Sequence, residues 1–162
     1  YMNIEGQEYE AFTTSGGLGT MCSTFEGKVD TLNYKTIRYP GHGKLMRFLM
    51  YELVMKEDLQ QLEKILTTAK PPVEEDLVHV YAVVEGVMDG KMQRKEFFQT
   101  YFPIEIHGKV WRAISWTTAA SLAAVVEMIA SQTLQQKGFI KQEMISLTDF
   151  YATTNGSLLQ PK

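Results

Sequence analysis

Cysteine is nearly absent from this sequence of 162 residues, which contains only Cys22. One cysteine can form neither an internal disulfide nor a cysteine-based zinc site. We therefore expect a reduced, cytoplasmic protein in which Cys22 is a small buried residue without a catalytic role. Histidine is also scarce, and His42, His79 and His107 lack the spacing of metal ligands, so we expect no metal site.

An excess of positive charge and a long apolar run are missing as well. The chain has 16 Lys and Arg against 19 Asp and Glu, a net charge of -3, which argues against nucleic acid as a partner. The longest apolar run, residues 119–130, contains Ser121 and Glu127 and is too short to span a bilayer, so we expect no membrane contact. No signal peptide is visible in the sequence, and we expect a piece excised from a longer protein.

The remaining composition is that of a globular protein. Hydrophobic residues make up 44% of the chain and charged residues 22%, which is typical of a soluble domain. A chain of this length buries enough surface to fold without disulfides or metals. We therefore predict a single domain over residues 1–162.

Hydrophobic periodicity and turn residues predict the secondary structure. In the first half we predict the following elements: strands at 8–14 and 29–39, helices at 18–25 and 42–55, and a third helix capped by Asp58 and ended by Pro71 and Pro72. From residue 77 the period changes to two, and we predict an antiparallel meander with the following parts: turns at Asp89-Gly90 and His107-Gly108, and strands at 77–88, 92–103 and 110–116.

The clearest helix lies near the end of the chain. Thr117 or Thr118 would cap it and Gly138 would end it, and Ser146 would open a last short helix. Together these elements predict an α+β (α/β) fold, a two-layer sandwich in which helices cover one face of a mixed, largely antiparallel sheet.

Two glycine-bearing turns are the strongest functional signal. Gly16-Gly17-Leu18-Gly19 follows the first predicted strand, and Arg38 stands just before the second turn, which contains Gly41. Arginine offers a planar fork of donors that suits a carboxylate, and glycine turns expose backbone amides to anions. The pattern predicts a pocket for a small anion. It does not match the Gly-x-Gly-x-x-Gly spacing of a dinucleotide site.

Four segments resemble the saccharopine dehydrogenase / lysine dehydrogenase family, in the second domain that follows its Rossmann domain. They are residues 10–20 with the Gly-Gly-Leu turn, residues 32–42 with the Arg-Tyr-x-Gly turn, the Ala-rich segment 111–130, and residues 138–140. The resemblance loosely covers most of the chain. It implies an oxidoreductase that acts at a C–N bond of an amino acid related to lysine. NAD or NADP would be bound by a Rossmann domain absent from this chain.

The resemblance also implies roles for this domain and for its residues. The domain would bind the amino-acid substrate through its carboxylate and form a homodimer. The isolated fragment would be inactive, and no catalytic residue or cofactor-binding residue can be named in it. Carried over, the substrate cleft would be lined by Gly16, Gly17, Leu18 and Arg38.

Each candidate also has a purely structural interpretation. Arg38 could pair with a surface acid, and Gly16 and Gly17 could simply form a turn with positive φ. His42 could contact substrate or merely begin a helix, and Thr118 could bind an anion at a helix N-terminus or only cap that helix. Saccharopine, lysine or another amine remain open as substrates. The alternative function is a non-catalytic binding or assembly module whose sheet is a dimer interface.

Overall fold

The computed structural model describes residues 1–14, 16–135 and 137–161. The chain divides into two compact units, Tyr1–Pro72 and Val73–Lys162, which we call the N-terminal unit and the C-terminal unit. Both contain helices and antiparallel strands, which confirms the α+β class. In the described residues the strands form three separate sheets, not the one sheet that we predicted. The single domain over 1–162 stays a prediction.

The N-terminal unit is built around a small antiparallel sheet with the strand order β1-β2-β3. Its described elements are β1 (Met2–Ile4), β2 (Gln7–Phe12), α1 (Met21–Phe25), β3 (Thr36–Arg38), α2 (His42–Arg47) and α3 (Leu59–Ala69). Glu5 and Gly6 form the two-residue turn between β1 and β2, and both have positive φ. Our sequence interpretation missed this hairpin, although its turn carries a glycine.

The strand predicted at 29–39 is much shorter than expected. Only Thr36–Arg38 is a strand, and it pairs with residues 10–12 of β2. A strand needs a partner for its backbone groups, and β2 ends at Phe12, which lies opposite Thr36. Residues 29–35 therefore run as irregular chain despite their strand-like composition.

The helix predicted at 42–55 ends early. After α2 the chain continues through a π-helical turn at Phe48–Glu52, and Val54 then takes a positive φ of 55°. A β-branched residue in this left-handed region cannot continue a helix. The capping role of Asp58 is confirmed, because its Oδ1 accepts a hydrogen bond of 3.0 Å from the Gln61 amide at the start of α3.

The C-terminal unit contains two hairpins and two α-helices in its described part. These elements are β4 (Val78–Met88), β5 (Lys91–Tyr101), β6 (Ile104–Ile106), β7 (Lys109–Trp111), α4 (Ala113–Ala130) and α5 (Leu147–Tyr151). β4 pairs with β5 and β6 pairs with β7, both antiparallel. All four predicted turn residues, Asp89-Gly90 and His107-Gly108, have positive φ, which confirms both hairpin turns.

α4 starts earlier than predicted. It begins at Ala113, so the strand predicted at 110–116 ends at Trp111, and Thr117 and Thr118 lie inside the helix instead of capping it. The Asp76 carboxylate accepts hydrogen bonds from the Ala113 amide (2.6 Å) and the Ile114 amide (2.9 Å). A residue 37 positions away thus satisfies the first amides of the helix.

α4 also ends earlier, at Ala130 instead of Gly138. Its 18 residues make it the one helix of the described chain that is long and apolar enough to cross a membrane. The argument from the short length of residues 119–130 does not hold for α4, because the helix also includes residues 113–118. A core helix passes the same test, but only 28% of α4 is buried, including Trp116, Ala120 and Met128. The absence of membrane contact stays a prediction.

The core of the C-terminal unit joins the base of the β4–β5 hairpin to α4. Tyr101, Trp116, Ala120 and Leu159 form a buried cluster. The rings of Tyr101 and Trp116 meet edge to face at 5.5 Å. The Tyr101 hydroxyl donates a 2.8 Å hydrogen bond to the Leu159 carbonyl, and Trp116 Nε1 donates one of 2.8 Å to the Phe102 carbonyl. Both polar ends of the buried rings are therefore satisfied.

Glu127 of α4 holds the loop that follows α5. Its carboxylate accepts hydrogen bonds from the Thr154 amide (2.7 Å), the Asn155 amide (3.1 Å) and the Asn155 side chain. The Asn155 side chain makes the largest contribution that lowers the pKa of Glu127, while partial desolvation acts in the opposite direction. Gly156 comes next and is buried so closely against Phe150 and Thr153 that a Cβ there would overlap the Phe150 carbonyl.

The lowered pKa of Glu127 predicts a loss of stability in acid. This contribution is fully present above the ordinary glutamate pKa of about 4.5 and is lost as the pH falls through the lower folded pKa. We expect Glu127→Gln to flatten the dependence of the thermal midpoint on pH in the acidic range. Glu105→Gln, at an exposed position of β6, is the control and should keep the wild-type slope. Equal slopes for wild type and Glu127→Gln would contradict this prediction.

Candidate functional site

The two glycine turns leave opposite ends of the β2–β3 pair. Glu10 lies opposite Arg38 and Phe12 lies opposite Thr36 in the antiparallel register. The chain therefore enters the first turn beside the start of β3, and enters the second turn beside the middle of β2. The predicted pocket cannot be formed by two turns at one end of the sheet.

The second turn folds back over one face of β2. The His42 ring stacks on Phe12 with 6.1 Å between centroids and an interplanar angle of 25°. A Cβ at Gly43 would lie 3.3 Å from the Phe12 ring, so the backbone passes close to this side chain. Residues that face each other across antiparallel strands, and alternate residues of one strand, project from the same face. Arg38 and His42 therefore share the face that carries Glu10 and Phe12.

Glu10 is the residue that our sequence interpretation missed. Its Oε2 accepts a hydrogen bond of 3.1 Å from the Gly41 amide, and its Oε1 accepts one of 2.5 Å from the Gly43 amide. Gly41 has a φ of 91°, which glycine adopts without strain and which turns its amide toward this carboxylate. An internal carboxylate thus accepts hydrogen bonds from two amides of the second glycine turn.

Arg38 has no charged partner among the described residues. Although it lies opposite Glu10, the ion pairs of the described residues are both made by Arg94, with Glu85 and Glu96. The exposed Arg38 side chain donates one hydrogen bond of 2.9 Å, from Nη1 to the adjacent Ile37 carbonyl. Most of the donor fork of Arg38 therefore remains available to a ligand.

The other face of β2 carries Gln7, Tyr9 and Ala11, and it has no carboxylate or basic side chain. Tyr9 is buried there, and its ring lies 5.5 Å from that of Tyr39. Burial, followed by the proximity of Tyr39, raises the pKa of Tyr9. The charges that could recognise a ligand are thus concentrated on the face of Arg38.

The first glycine turn lies against a tyrosine. Gly16 has a φ of 94°, and a Cβ there would lie 3.5 Å from the Tyr34 ring. Gly17 is exposed with open space around it, and the Leu18 carbonyl accepts a 3.0 Å hydrogen bond from the Met21 amide. Ser15 lies outside the described residues. The positive φ of Gly16 explains its glycine, while the conformation of Gly17 does not require one.

This glycine turn does not suit a dinucleotide. The helix that follows it, α1, has five residues, too few for the helix N-terminus that receives a pyrophosphate. The spacing Gly16-Gly17-Leu18-Gly19 also differs from the fingerprint of such sites. These residues therefore do not fit NAD or NADP.

Thr118 belongs to the C-terminal unit and lies in the second turn of α4. Its hydroxyl donates a 2.7 Å hydrogen bond to the Ile114 carbonyl inside the helix. The argument that placed Thr118 at a helix N-terminus is therefore wrong, because α4 begins five residues earlier. The structure gives Thr118 an ordinary helical role.

Other possible sites in the described residues lie elsewhere or lack the required groups. A shallow depression of about 350 Å³ in the C-terminal unit is lined by residues including Leu134, Phe139 and Met144, and by none of the predicted site residues. The described chain contains no group of three potential metal-ligating side chains. Cys22 is exposed on α1, so the expected buried thiol is wrong.

Comparisons with known proteins add no family to this picture. No protein-family model matches the chain, and no solved structure is significantly similar to it.

Glu10 should therefore stabilise the turn beside Arg38. We expect Glu10→Ala to lower the protection of the Gly41 and Gly43 amides from hydrogen exchange at least about fivefold, because a lost hydrogen bond to a charged group costs about 1.5–3 kcal/mol. Exchange measured by NMR is the right probe, because both tryptophans of the chain lie in the C-terminal unit.

The matched control is Glu8→Ala, which removes an exposed carboxylate two residues earlier on the same strand. This variant should leave the protection of Gly41 and Gly43 unchanged. Equal effects of the two substitutions would contradict a specific role for Glu10.

Proposed function

We propose that this chain is the substrate-binding and dimerisation domain of a saccharopine dehydrogenase-like oxidoreductase. The enzyme would use NAD or NADP, would act at a C–N bond of an amino acid related to lysine, and would be cytoplasmic. The proposal is supported by the Gly-Gly-Leu and Arg-Tyr-x-Gly segments and, above all, by one observation. Arg38 is exposed, lies on the same sheet face as His42, and makes no ion pair with a described residue.

Arg38 would bind the substrate carboxylate. Its guanidinium offers paired N–H donors that match the two oxygens of a carboxylate, which fixes the orientation of the substrate as well as its position. Holding the carboxylate in this way would orient the adjacent carbon, at which the C–N bond is oxidised or formed. His42 would contribute a hydrogen-bonding partner beside the same substrate, whereas Gly16 and Gly17 lie in the turn at the other end of the β2–β3 pair.

The cofactor would belong to a Rossmann domain outside this chain, because the residues present do not fit a dinucleotide. We expect the full gene product to contain a strand, a Gly-x-Gly-x-x-Gly turn and a helix before this region. A gene product without such a segment would contradict the oxidoreductase proposal. The isolated chain would bind substrate but would not transfer hydride.

A non-catalytic assembly module is the second candidate, and one observation favours it. The outer part of the β4–β5 hairpin exposes several apolar side chains, with Val84, Val87 and Met92 each more than two-thirds exposed. Such a surface is typical of a binding region. Ligand binding at Arg38 discriminates between the two candidates, since a purely structural module has no need of it.

The binding role of Arg38 can be tested by NMR titration of the chain with lysine and with saccharopine. We expect saturable shifts around residues 38–42, and we expect Arg38→Ala to weaken binding at least about tenfold, since a charge-assisted hydrogen bond contributes about 1.5–3 kcal/mol. Lysinamide, which lacks the carboxylate, should bind wild type as weakly as lysine binds the variant.

Arg47→Ala is the control for loss of charge, because Arg47 is an exposed arginine of the same unit on α2. It should bind both ligands like wild type. A dissociation constant for Arg38→Ala within about twofold of wild type would show that Arg38 does not bind the carboxylate.

A further inference from the structure

The β4–β5 hairpin is long, and only its base is anchored. Each strand has 11 residues, yet Tyr101 is the one buried hydrophobic residue among them. Toward the tip, Val83 is 42% exposed and Val84 72%. Within the described residues, β4 and β5 have no strand neighbour other than each other. Because an isolated two-stranded hairpin is marginally stable in water, this one is expected to gain a further strand.

The hairpin turn fixes which backbone groups are available for such a strand. Asp89 and Gly90 both have positive φ, as in the two-residue turn that makes Met88 and Lys91 a hydrogen-bonded pair. Hydrogen-bonded and non-hydrogen-bonded pairs then alternate along the ladder. At the non-hydrogen-bonded pairs the N–H and C=O groups point away from the hairpin. On β4 these residues include Tyr81, Val83, Glu85 and Val87, and on β5 they include Met92, Arg94, Glu96 and Phe98.

The two edges differ sharply in charge. β5 carries Lys91, Arg94, Lys95 and Glu96 along its length, whereas β4 carries only Glu85. Charged residues on an edge strand are a common means of preventing pairing with other chains. β5 therefore has the features of a protected edge, and β4 has those of an edge that accepts a partner.

Charge also favours a second copy of β4 as that partner. When the same strand from two copies pairs antiparallel about a two-fold axis, the residue at the axis lies opposite the identical residue of the other copy. For β5, a pair centred on Arg94, Lys95 or Glu96 would place identical charges opposite each other, which is destabilising. For β4, a pair centred on Val83 or Val84 opposes no like charges and continues an apolar sheet face that includes Val80 and Ala82.

We propose that β4 pairs antiparallel with β4 of a second copy, so that two hairpins form one four-stranded sheet across a two-fold axis. Such a pair is isologous and closed, so it makes a dimer and not a filament. The inference rests on the dimerisation part of the proposed function and names its surface. It does not depend on whether Arg38 binds a carboxylate.

Two proline variants test the proposal. Val83 and Glu96 lie opposite each other as a non-hydrogen-bonded pair, so a proline at either position removes one outward N–H and leaves the ladder between β4 and β5 intact. By sedimentation equilibrium, we expect a dimer for wild type and for Glu96→Pro. Val83→Pro should raise the dissociation constant at least about tenfold, because each dimer loses its edge donor twice.

Amide hydrogen exchange of the unmodified protein gives an independent test that needs no substitution. The outward amides of Val83, Glu85 and Val87 should be protected in the dimer, and those of Arg94 and Glu96 should exchange rapidly. A monomeric wild type, a dimer that survives Val83→Pro, or protection of the β5 amides instead would each overturn the proposal. Arg38→Ala should leave the dimer unchanged, so loss of ligand binding and loss of the dimer are separate outcomes.

Discussion

Remote carboxylates that accept backbone amide hydrogen bonds determine where several elements of this protein begin. Glu10 accepts from two amides more than 30 residues away, Asp76 accepts from the first amides of α4, and Glu127 accepts from the loop after α5. Amides at helix starts and in turns have no partner within their own element and must find an acceptor elsewhere. In both units, acidic side chains that are distant in sequence supply it.

In the N-terminal unit this arrangement has a direct electrostatic consequence. Glu10 and Arg38 face each other across two strands, where an ion pair would be the ordinary outcome. The Glu10 carboxylate instead accepts hydrogen bonds from the Gly41 and Gly43 amides and forms no ion pair with Arg38. The same contact shapes the second turn and leaves a cation beside it. A carboxylate ligand at Arg38 would therefore not have to displace an existing ion pair.

The sequence was most informative where the determining interactions are local. The turns at Asp89-Gly90 and His107-Gly108 and the cap at Asp58 depend on neighbouring residues, and the structure has all three. The start of α4 could not be predicted, because it depends on Asp76. The length of β3 depends on how much of β2 remains to pair with it. Arg38 and His42 became candidates because of their positions at a turn, but Glu10 could not be identified without the register.

The loop after α5 is a point at which this chain can tolerate little sequence change. A side chain at position 156 would displace the backbone that places the neighbouring Asn155 on Glu127. Such a substitution would therefore destabilise the protein in two ways. It would overlap the Phe150 carbonyl, and it would weaken the hydrogen bonds that the loop donates to Glu127 of α4. Among homologous chains, we expect Gly156 to vary only together with Glu127 or Asn155, so that the three positions evolve as one unit.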